Sequence, residues 1–236
     1  MPVPSSGATT VPAPAPGQAP ARPWTDQPAF SIVRLNVRDA RGFGDYLTGH
    51  LPTIVAAGGR FLAAGALPQT VEGDWPLRRM VIHQWPSANA FFAWYESSAY
   101  APWRQIRQRA ADSDVVLVQG VASSAPSEAA APAFAVVDAA VQDGSSFGRY
   151  EQGHVSGLRA AGGEYLVAGG RFQIVEGMWF PRRVELQRWP SMAAFRAWYE
   201  SAEYRPWRDL RWAAAQADVA LLEGLSEAQK RERGMP

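Results

Sequence analysis

Sliding the chain against itself sets Phe30 on Phe134 and carries the match, without a gap, from residues 30–121 onto 134–225. About half of the aligned positions are identical. The stretch GGRFLAAGALPQTVEGDW at 58–75 meets GGEYLVAGGRFQIVEGMW at 162–179. Likewise WPSANAFFAWYESSAYAPWRQIR at 85–107 meets WPSMAAFRAWYESAEYRPWRDLR at 189–211. A tandem duplication of this length limits the chain to folds made from two equivalent units. The expected organisation is a disordered Pro/Ala-rich tail over 1–28, a first repeat over 29–121 and a linker over 122–132. A second repeat over 133–225 and a solvated tail over 226–236 complete it.

Within the first unit, Phe30–Val37 is β-rich and ends at Asp39, which can cap a helix. Phe43, Tyr46, Leu47, His50, Ile54 and Ala57 then recur at helical spacing, and Gly58-Gly59 supplies the stop. Strands are predicted near Arg60–Thr70 and over Arg78–Trp85, joined by a turn at Glu72-Gly73-Asp74-Trp75-Pro76. Pro86-Ser87 opens a second helix carrying Phe91, Trp94 and Tyr95, restarted by Pro102, and Asp114–Val121 closes the unit as a strand. The order β-α-β-β-α-β is an α+β, ferredoxin-like unit. With both helices on one face, its four-stranded sheet leaves the other face bare, and the second copy can cover it. The predicted architecture is therefore two such repeats packed sheet to sheet, an intramolecular pseudo-dimer.

Those residues also carry a family resemblance. Asp39, Tyr46, Gly58-Gly59, Glu72-Gly73-x-Trp75, Trp94-Tyr95, Ser97, Tyr100, Arg107 and Gly120 resemble the domain-of-unknown-function 1330 family of the dimeric α+β barrel superfamily. The second copy repeats the pattern at Asp143, Tyr150, Gly162-Gly163, Glu176-Gly177-x-Trp179, Trp198-Tyr199, Ser201, Tyr204, Arg211 and Gly224. The resemblance implies a fold rather than a reaction. It also implies a ligand in the gap between helix and sheet. The superfamily holds cofactor-independent monooxygenases, isomerases, dehydratase-like enzymes, haem-handling proteins and simple binders.

Composition narrows the chemistry. The formal charge is +1, without the basic footprint of a nucleic-acid binder. The absence of cysteine removes disulfides, thiol catalysis and thiolate metal sites. No apolar run is long enough to span a bilayer, and no signal peptide is recognisable, so a cytoplasmic address is expected. Eight of the ten tryptophans fall into four repeat-related pairs, so their excess is mainly a doubled inventory.

His50 and His154 lie one turn after Tyr46 and Tyr150 on the buried helix stripe. They are the candidate proton carriers, each assisted by its tyrosine. The bland alternative is a core histidine satisfied by a backbone carbonyl. Glu72 and Glu176 are candidate acid–base groups or partners of Arg78, Arg79, Arg182 and Arg183. Trp75, Trp94, Trp179 and Trp198 are expected to wall a substrate pocket, with Arg79 and Arg183 anchoring it. Arg107 and Arg211 are read as tying their helix to an acidic partner such as Asp114 or Asp218, with ligand anchoring as the alternative, and the pseudo-twofold axis can bring Arg34 near Asp138. No metal site is recognisable.

The sequence reading is an enzyme without metal or organic cofactor acting on a hydrophobic or aromatic small molecule, secondary metabolites included. Proton transfer, cyclisation, dehydration and cofactor-free oxygenation all suit a histidine. A non-catalytic ligand-binding or sequestration protein is the alternative. Nucleic-acid and membrane partners are not expected, and self-association beyond the fused pair is left open. Finally, Val81/Glu185, Leu67/Arg171, Pro68/Phe172, Phe92/Arg196 and Gln108/Trp212 differ between copies. They mark either one specialised half or drift at exposed positions.

Overall fold

The computed structural model describes residues 23–121 and 132–235. Most of the expected N-terminal tail and the linker lie outside the described residues. The first repeat runs β1 (Ala29–Val37), α1 (Ala40–Ala56), β2 (Arg60–Ala66), β3 (Gln69–Glu72), β4 (Arg79–Trp85), α2 (Ala88–Tyr95), α3 (Ala101–Ala110) and β5 (Ala111–Gln119). The second runs β6 (Ala133–Val141), α4 (Gly144–Ala160), β7 (Glu164–Ala168), β8 (Phe172–Glu176), β9 (Val184–Trp189), α5 (Met192–Tyr199), α6 (Arg205–Ala214) and β10 (Ala215–Glu223).

The local signals act where the sequence puts them. Asp39 and Asp143 accept hydrogen bonds from the first backbone N–H groups of α1 and α4, satisfying donors that a helix start leaves unpaired. Along β1, Phe30 and Ile32 turn to one face of the sheet while Val33 and Leu35 turn to the other. The first set meets Phe134, Val136, Ala220 and Leu222 of the second repeat in a shared core between the sheets. The second set packs beneath the helices of its own repeat.

The sheets differ from the expectation in one respect. Each has five strands, ordered β2-β4-β1-β5-β8 and β3-β10-β6-β9-β7, so each repeat lends a short strand to its neighbour's sheet. The strand expected near Arg60–Thr70 therefore breaks at Leu67-Pro68. Proline supplies no N–H to continue a ladder, and the chain crosses over. Val116 then faces Ile174, and Val118 faces Phe172. Gly65 and Gly169, with φ of +78° and +65°, open the crossover in both repeats, the second of which has Phe172 in place of the proline.

The end of the chain also differs. The expected solvated tail forms α7 (Glu227–Glu232), with Ser226 and Gln229 in a reciprocal capping box. Its C-terminal continuation returns to the first repeat, where Met235 packs against the core beneath the helices.

Candidate functional site

The strand exchange explains the Glu-Gly-x-Trp turn. Glu72 accepts from Arg211 Nη1 at 3.0 Å, from Arg211 Nη2 at 2.6 Å and from Tyr199 Oη at 2.6 Å, all in the other repeat. Glu176 reciprocally accepts from Arg107 Nη2 at 2.6 Å and from Tyr95 Oη. Gly73 and Gly177 have φ of +71° and +85°, and they press against Asp218 and Asp114 of the opposite repeat, where a Cβ would collide. Those aspartates accept from the N–H groups of Asp74 and Met178. Trp75 and Trp179 meet edge to face, 5.8 Å apart, in the inter-sheet core.

Four sequence expectations are corrected by this geometry. Glu72 and Glu176 do not pair with Arg78, Arg79, Arg182 or Arg183, because the turn that carries them leaves its own repeat. Arg107 and Arg211 reach the exchanged glutamates rather than Asp114 and Asp218. Trp75 and Trp179 pack against each other in the inter-sheet core and are not in the lining of the cavity described below. Arg34 pairs with Asp114 at 2.9 Å and stacks on Trp179, while Asp138 accepts from Trp179 Nε1 and the Arg182 N–H.

The cavity lies where α1, α2 and α3 cover the sheet of the first repeat. It has a volume of about 360 Å³, within the range of small-molecule sites. Val33, Leu35, Phe61, Val81, Phe91 and Trp94 make its walls largely apolar, and among the described residues no aspartate or glutamate lines it. Trp94 donates its Nε1–H to Thr53 at 2.9 Å and stacks on Tyr100, so only its ring serves the cavity. Arg79 and, from the C-terminal segment, Arg233 and Met235 stand in the lining. Tyr46, His50, Trp94 and Arg79 are thus brought together, in the first repeat.

The corresponding space in the second repeat shrinks to about 20 Å³. Its strands hold the same register: Tyr165 faces Gln187 as Phe61 faces His83, and Ala168 faces Glu185 as Ala64 faces Val81. The contents differ. Tyr165 Oη lies 2.7 Å from His154 Nε2, 3.3 Å from Gln187 Nε2 and 3.4 Å from Glu185 Oε2. Arg183 pairs with Glu185 at 3.4 Å and with Glu151. Phenol, amide and carboxylates fill the gap with a satisfied network. Leu47, Phe61, Val81 and His83 occupy those positions in the first repeat, and the gap stays open. Of the five divergent pairs singled out above, Val81/Glu185 is the one on this wall. His154, Tyr150, Trp198 and Arg183 belong to the filled half.

The two helical histidines have a fixed tautomer. His50 Nδ1 lies 2.7 Å from the Tyr46 carbonyl and His154 Nδ1 lies 2.6 Å from that of Tyr150. A carbonyl only accepts, so Nδ1 carries the proton and Nε2 is a free acceptor. Tyr165 serves that acceptor on His154; nothing among the described residues serves it on His50. Tyr46 stacks on His50 with ring centroids 4.0 Å apart, and its hydroxyl turns to Tyr100. The tyrosine therefore positions the imidazole by its carbonyl and ring, rather than by the phenol expected from spacing.

His83 lacks a counterpart histidine and gains a role only in three dimensions. Trp85 Nε1–H donates to Ser31 Oγ at 3.0 Å, and the same oxygen lies 3.0 Å from His83 Nδ1, to which it can donate its own proton. In the tautomer that accepts the serine proton, the imidazole proton of His83 sits on Nε2, which is buried without a partner in a residue lining the cavity. The sequence signal was its mismatch with Gln187.

Burial disfavours the charged imidazoles, lowering His50 to about 4 and His83 to about 3, and also lowering His154. Unfolded histidines titrate near 6.5. Between about pH 6.5 and 4 the unfolded chain therefore binds more protons, and stability falls as pH falls. His50 and His83 each contribute up to about 1.4 kcal/mol per pH unit there. Glu185, raised by burial, works in the opposite sense. In His83→Gln, which leaves Glu185 in place, the urea midpoint should drop less between pH 7.5 and pH 5 than in the parent. An identical drop in both proteins would refute the assignment.

Among the described residues no group of three or more His, Asp or Glu side chains is gathered to hold a metal ion, and no helix is long and apolar enough to cross a membrane. The architecture is shared with solved structures at low identity. A protein from Lactobacillus acidophilus NCFM provisionally named a monooxygenase superposes with a TM-score of 0.50 at 13% identity, over 83% of this chain and 93% of its own. One of the same provisional name from Fusobacterium nucleatum gives 0.50 at 10% identity, over 85% and 93%. Another, provisionally named a chlorite dismutase, gives 0.52 at 9% identity, over 87% and 97%. No curated protein matches the sequence. The pattern of one sequence family, described as a domain of unknown function (DUF1330), matches twice, over residues 28–121 and 132–225. The chain belongs to that family, as a tandem pair of its domain.

Proposed function

We propose that the first repeat is a small-molecule enzyme site for a hydrophobic, aromatic substrate, worked by proton transfer at His50 without metal or organic cofactor. The second repeat is its structural partner. The observation that carries this reading is the contrast between a cavity of about 360 Å³ in one repeat and a space of about 20 Å³ in the other. A cavity kept open in one copy alone is a cost to packing that a purely structural duplication would not need.

His50 presents a neutral Nε2 to the cavity, its tautomer fixed by the Tyr46 carbonyl. It takes a proton from an acidic C–H or O–H of the substrate, and negative charge develops on a substrate oxygen. Arg107 adds positive charge at the wall, and the unpartnered Nε2–H of His83 becomes a donor to that oxygen when the ring turns further into the cavity. Returning the proton to a second position completes an isomerisation, and the same first step opens cyclisation, dehydration or reaction with oxygen. Glu176 acts through others, holding Arg107 and Tyr95 against the cavity. With His50 protonated only near pH 4, activity should persist into mildly acidic solution.

Native mass spectrometry of protein taken directly from its source is expected to release one small molecule per chain. With that molecule in D2O, His50→Gln should slow deuterium incorporation or turnover by about 100-fold or more. His154→Gln should leave the rate within about twofold. Turnover unaffected by His50→Gln would remove the proton-transfer mechanism. A molecule bound but never converted would leave sequestration as the function.

A further inference from the structure

The second repeat shows, in its own side chains, what the first repeat lacks. Tyr165 Oη is a hub: it donates toward His154 Nε2 and accepts from Gln187 Nε2–H. A carboxylate oxygen of Glu185 lies 3.4 Å from that hydroxyl, and the same carboxylate meets Arg183. In the first repeat the served groups survive and the serving groups are gone. His50 Nε2 remains an acceptor, and His83 Nε2–H remains a buried donor without a partner. Phe61 brings no hydroxyl. Arg79 still stands where Arg183 does, yet both of the carboxylates that Arg183 meets are replaced by Leu47 and Val81.

Arg79 retains one bond, from Nη1 to the Gly65 carbonyl at 2.9 Å, and no carboxylate pairs with it among the described residues. Arg233 adds a second cation to the lining. The cavity thus combines a deep donor–acceptor pair with arginine charge and no acid of its own. An unpaired buried donor favours a ligand that supplies its acceptor, and Arg79, exposed at the cavity mouth, is free of any carboxylate among the described residues and can meet one on the ligand.

We infer that the ligand of the first repeat is an aromatic hydroxy acid, with its hydroxyl beside its carboxylate. The hydroxyl takes the place of Tyr165 Oη, donating to His50 Nε2 and accepting from His83 Nε2–H. The carboxylate takes the place of Glu185 and meets Arg79. The inference rests on the cavity being a ligand site, as proposed above, and adds the ligand's class. It also sets the reacting proton: the hydroxyl proton is the one His50 is placed to take.

Isothermal titration of the full chain with four probes separates the two ideas: 2-hydroxybenzoate, 4-hydroxybenzoate, benzoate and phenol. One molecule of 2-hydroxybenzoate per chain is expected, bound about tenfold or more tighter than each of the others, since a lost charge-assisted hydrogen bond is felt on that scale. Arg79→Gln should bring 2-hydroxybenzoate to the affinity of phenol. Phe61→Tyr, which returns the hub hydroxyl, should bring it to that of benzoate or below, and circular dichroism reports whether either variant is folded. Equal affinity for phenol and 2-hydroxybenzoate, unmoved by Arg79→Gln, overturns the hydroxy-acid assignment and leaves the cavity as a ligand site. Absence of binding by all four at millimolar concentration overturns both.

Discussion

Arg211→Ala is expected to destabilise the protein by about 3–5 kcal/mol, the cost of leaving a buried charge without its partner. The Arg211 side chain is 4% exposed and that of Glu72 is 16% exposed. Burial alone would raise the Glu72 carboxyl, and the Arg211 guanidinium overrides it and holds the group below its ordinary value. Without the arginine, Glu72 keeps only neutral partners, the Tyr199 hydroxyl and the Trp212 indole. Because the pair joins β3 of one repeat to α6 of the other, its loss loosens the association of the halves rather than one helix. Removing both charges, as Arg211→Met with Glu72→Leu, should recover most of the loss, since an apolar pair needs no counter-ion. Guanidinium unfolding measures both. An Arg211→Ala midpoint equivalent to less than about 1 kcal/mol would mean that the exchanged pair is no stronger than a surface bridge.

The same pair shows where sequence reading reaches its limit. The duplication, the order of strands and helices, and the sheet-to-sheet packing were legible, because alternation along β1 and the stripe on α1 are local patterns that survive into the tertiary structure. The partner of Glu72 was not. Along the chain the nearest cations are Arg78 and Arg79, and only the break at Leu67-Pro68 sends the turn across to Arg211. Trp75 was misplaced for the same reason: a tryptophan on an exchanged hairpin packs between sheets instead of beneath a helix.

The candidate site was half legible. Tyr-x3-His put His50 on the buried stripe, and its backbone-bonded Nδ1 matches the bland reading while its free Nε2 leaves room for the functional one. His83 aligns with Gln187 and has no partner histidine in the repeat; its significance lies in Ser31 and Trp85, which its own sequence neighbourhood does not suggest. Aligning the copies did offer a signal. Phe61/Tyr165, Val81/Glu185 and His83/Gln187 lie within the duplicated strands, yet divergence alone does not say which changes face a cavity. Leu67/Arg171, for instance, is exposed at Leu67 and carries no such meaning.

Transplanting the filled wall into the open one should abolish ligand binding, by about 100-fold or more, or two steps of 1.4 kcal/mol. The variant is Leu47→Glu, Phe61→Tyr, Val81→Glu and His83→Gln, the residues found at 151, 165, 185 and 187. Arg79 is already present to pair with the new carboxylates, and His50 to receive the new phenol. The strand register is the same in both repeats, so the network that closes one should close the other. This makes the loss interpretable. Introducing a buried acid at position 81 ordinarily threatens a fold, while position 47 is half-exposed; here each acid finds the partner it has in the second repeat, and the variant should unfold within about 2 kcal/mol of the parent. The reverse transplant, with Glu151→Leu, Tyr165→Phe, Glu185→Val and Gln187→His, should raise the stoichiometry from one ligand per chain to two. Calorimetric titration reads both. Retained binding in the filled variant would place the ligand outside this cavity. A reverse variant that is folded and still binds one ligand would mean that side-chain contents alone do not decide which half is open. The C-terminal segment, whose Arg233 and Met235 line the first cavity, would then be the asymmetry that does.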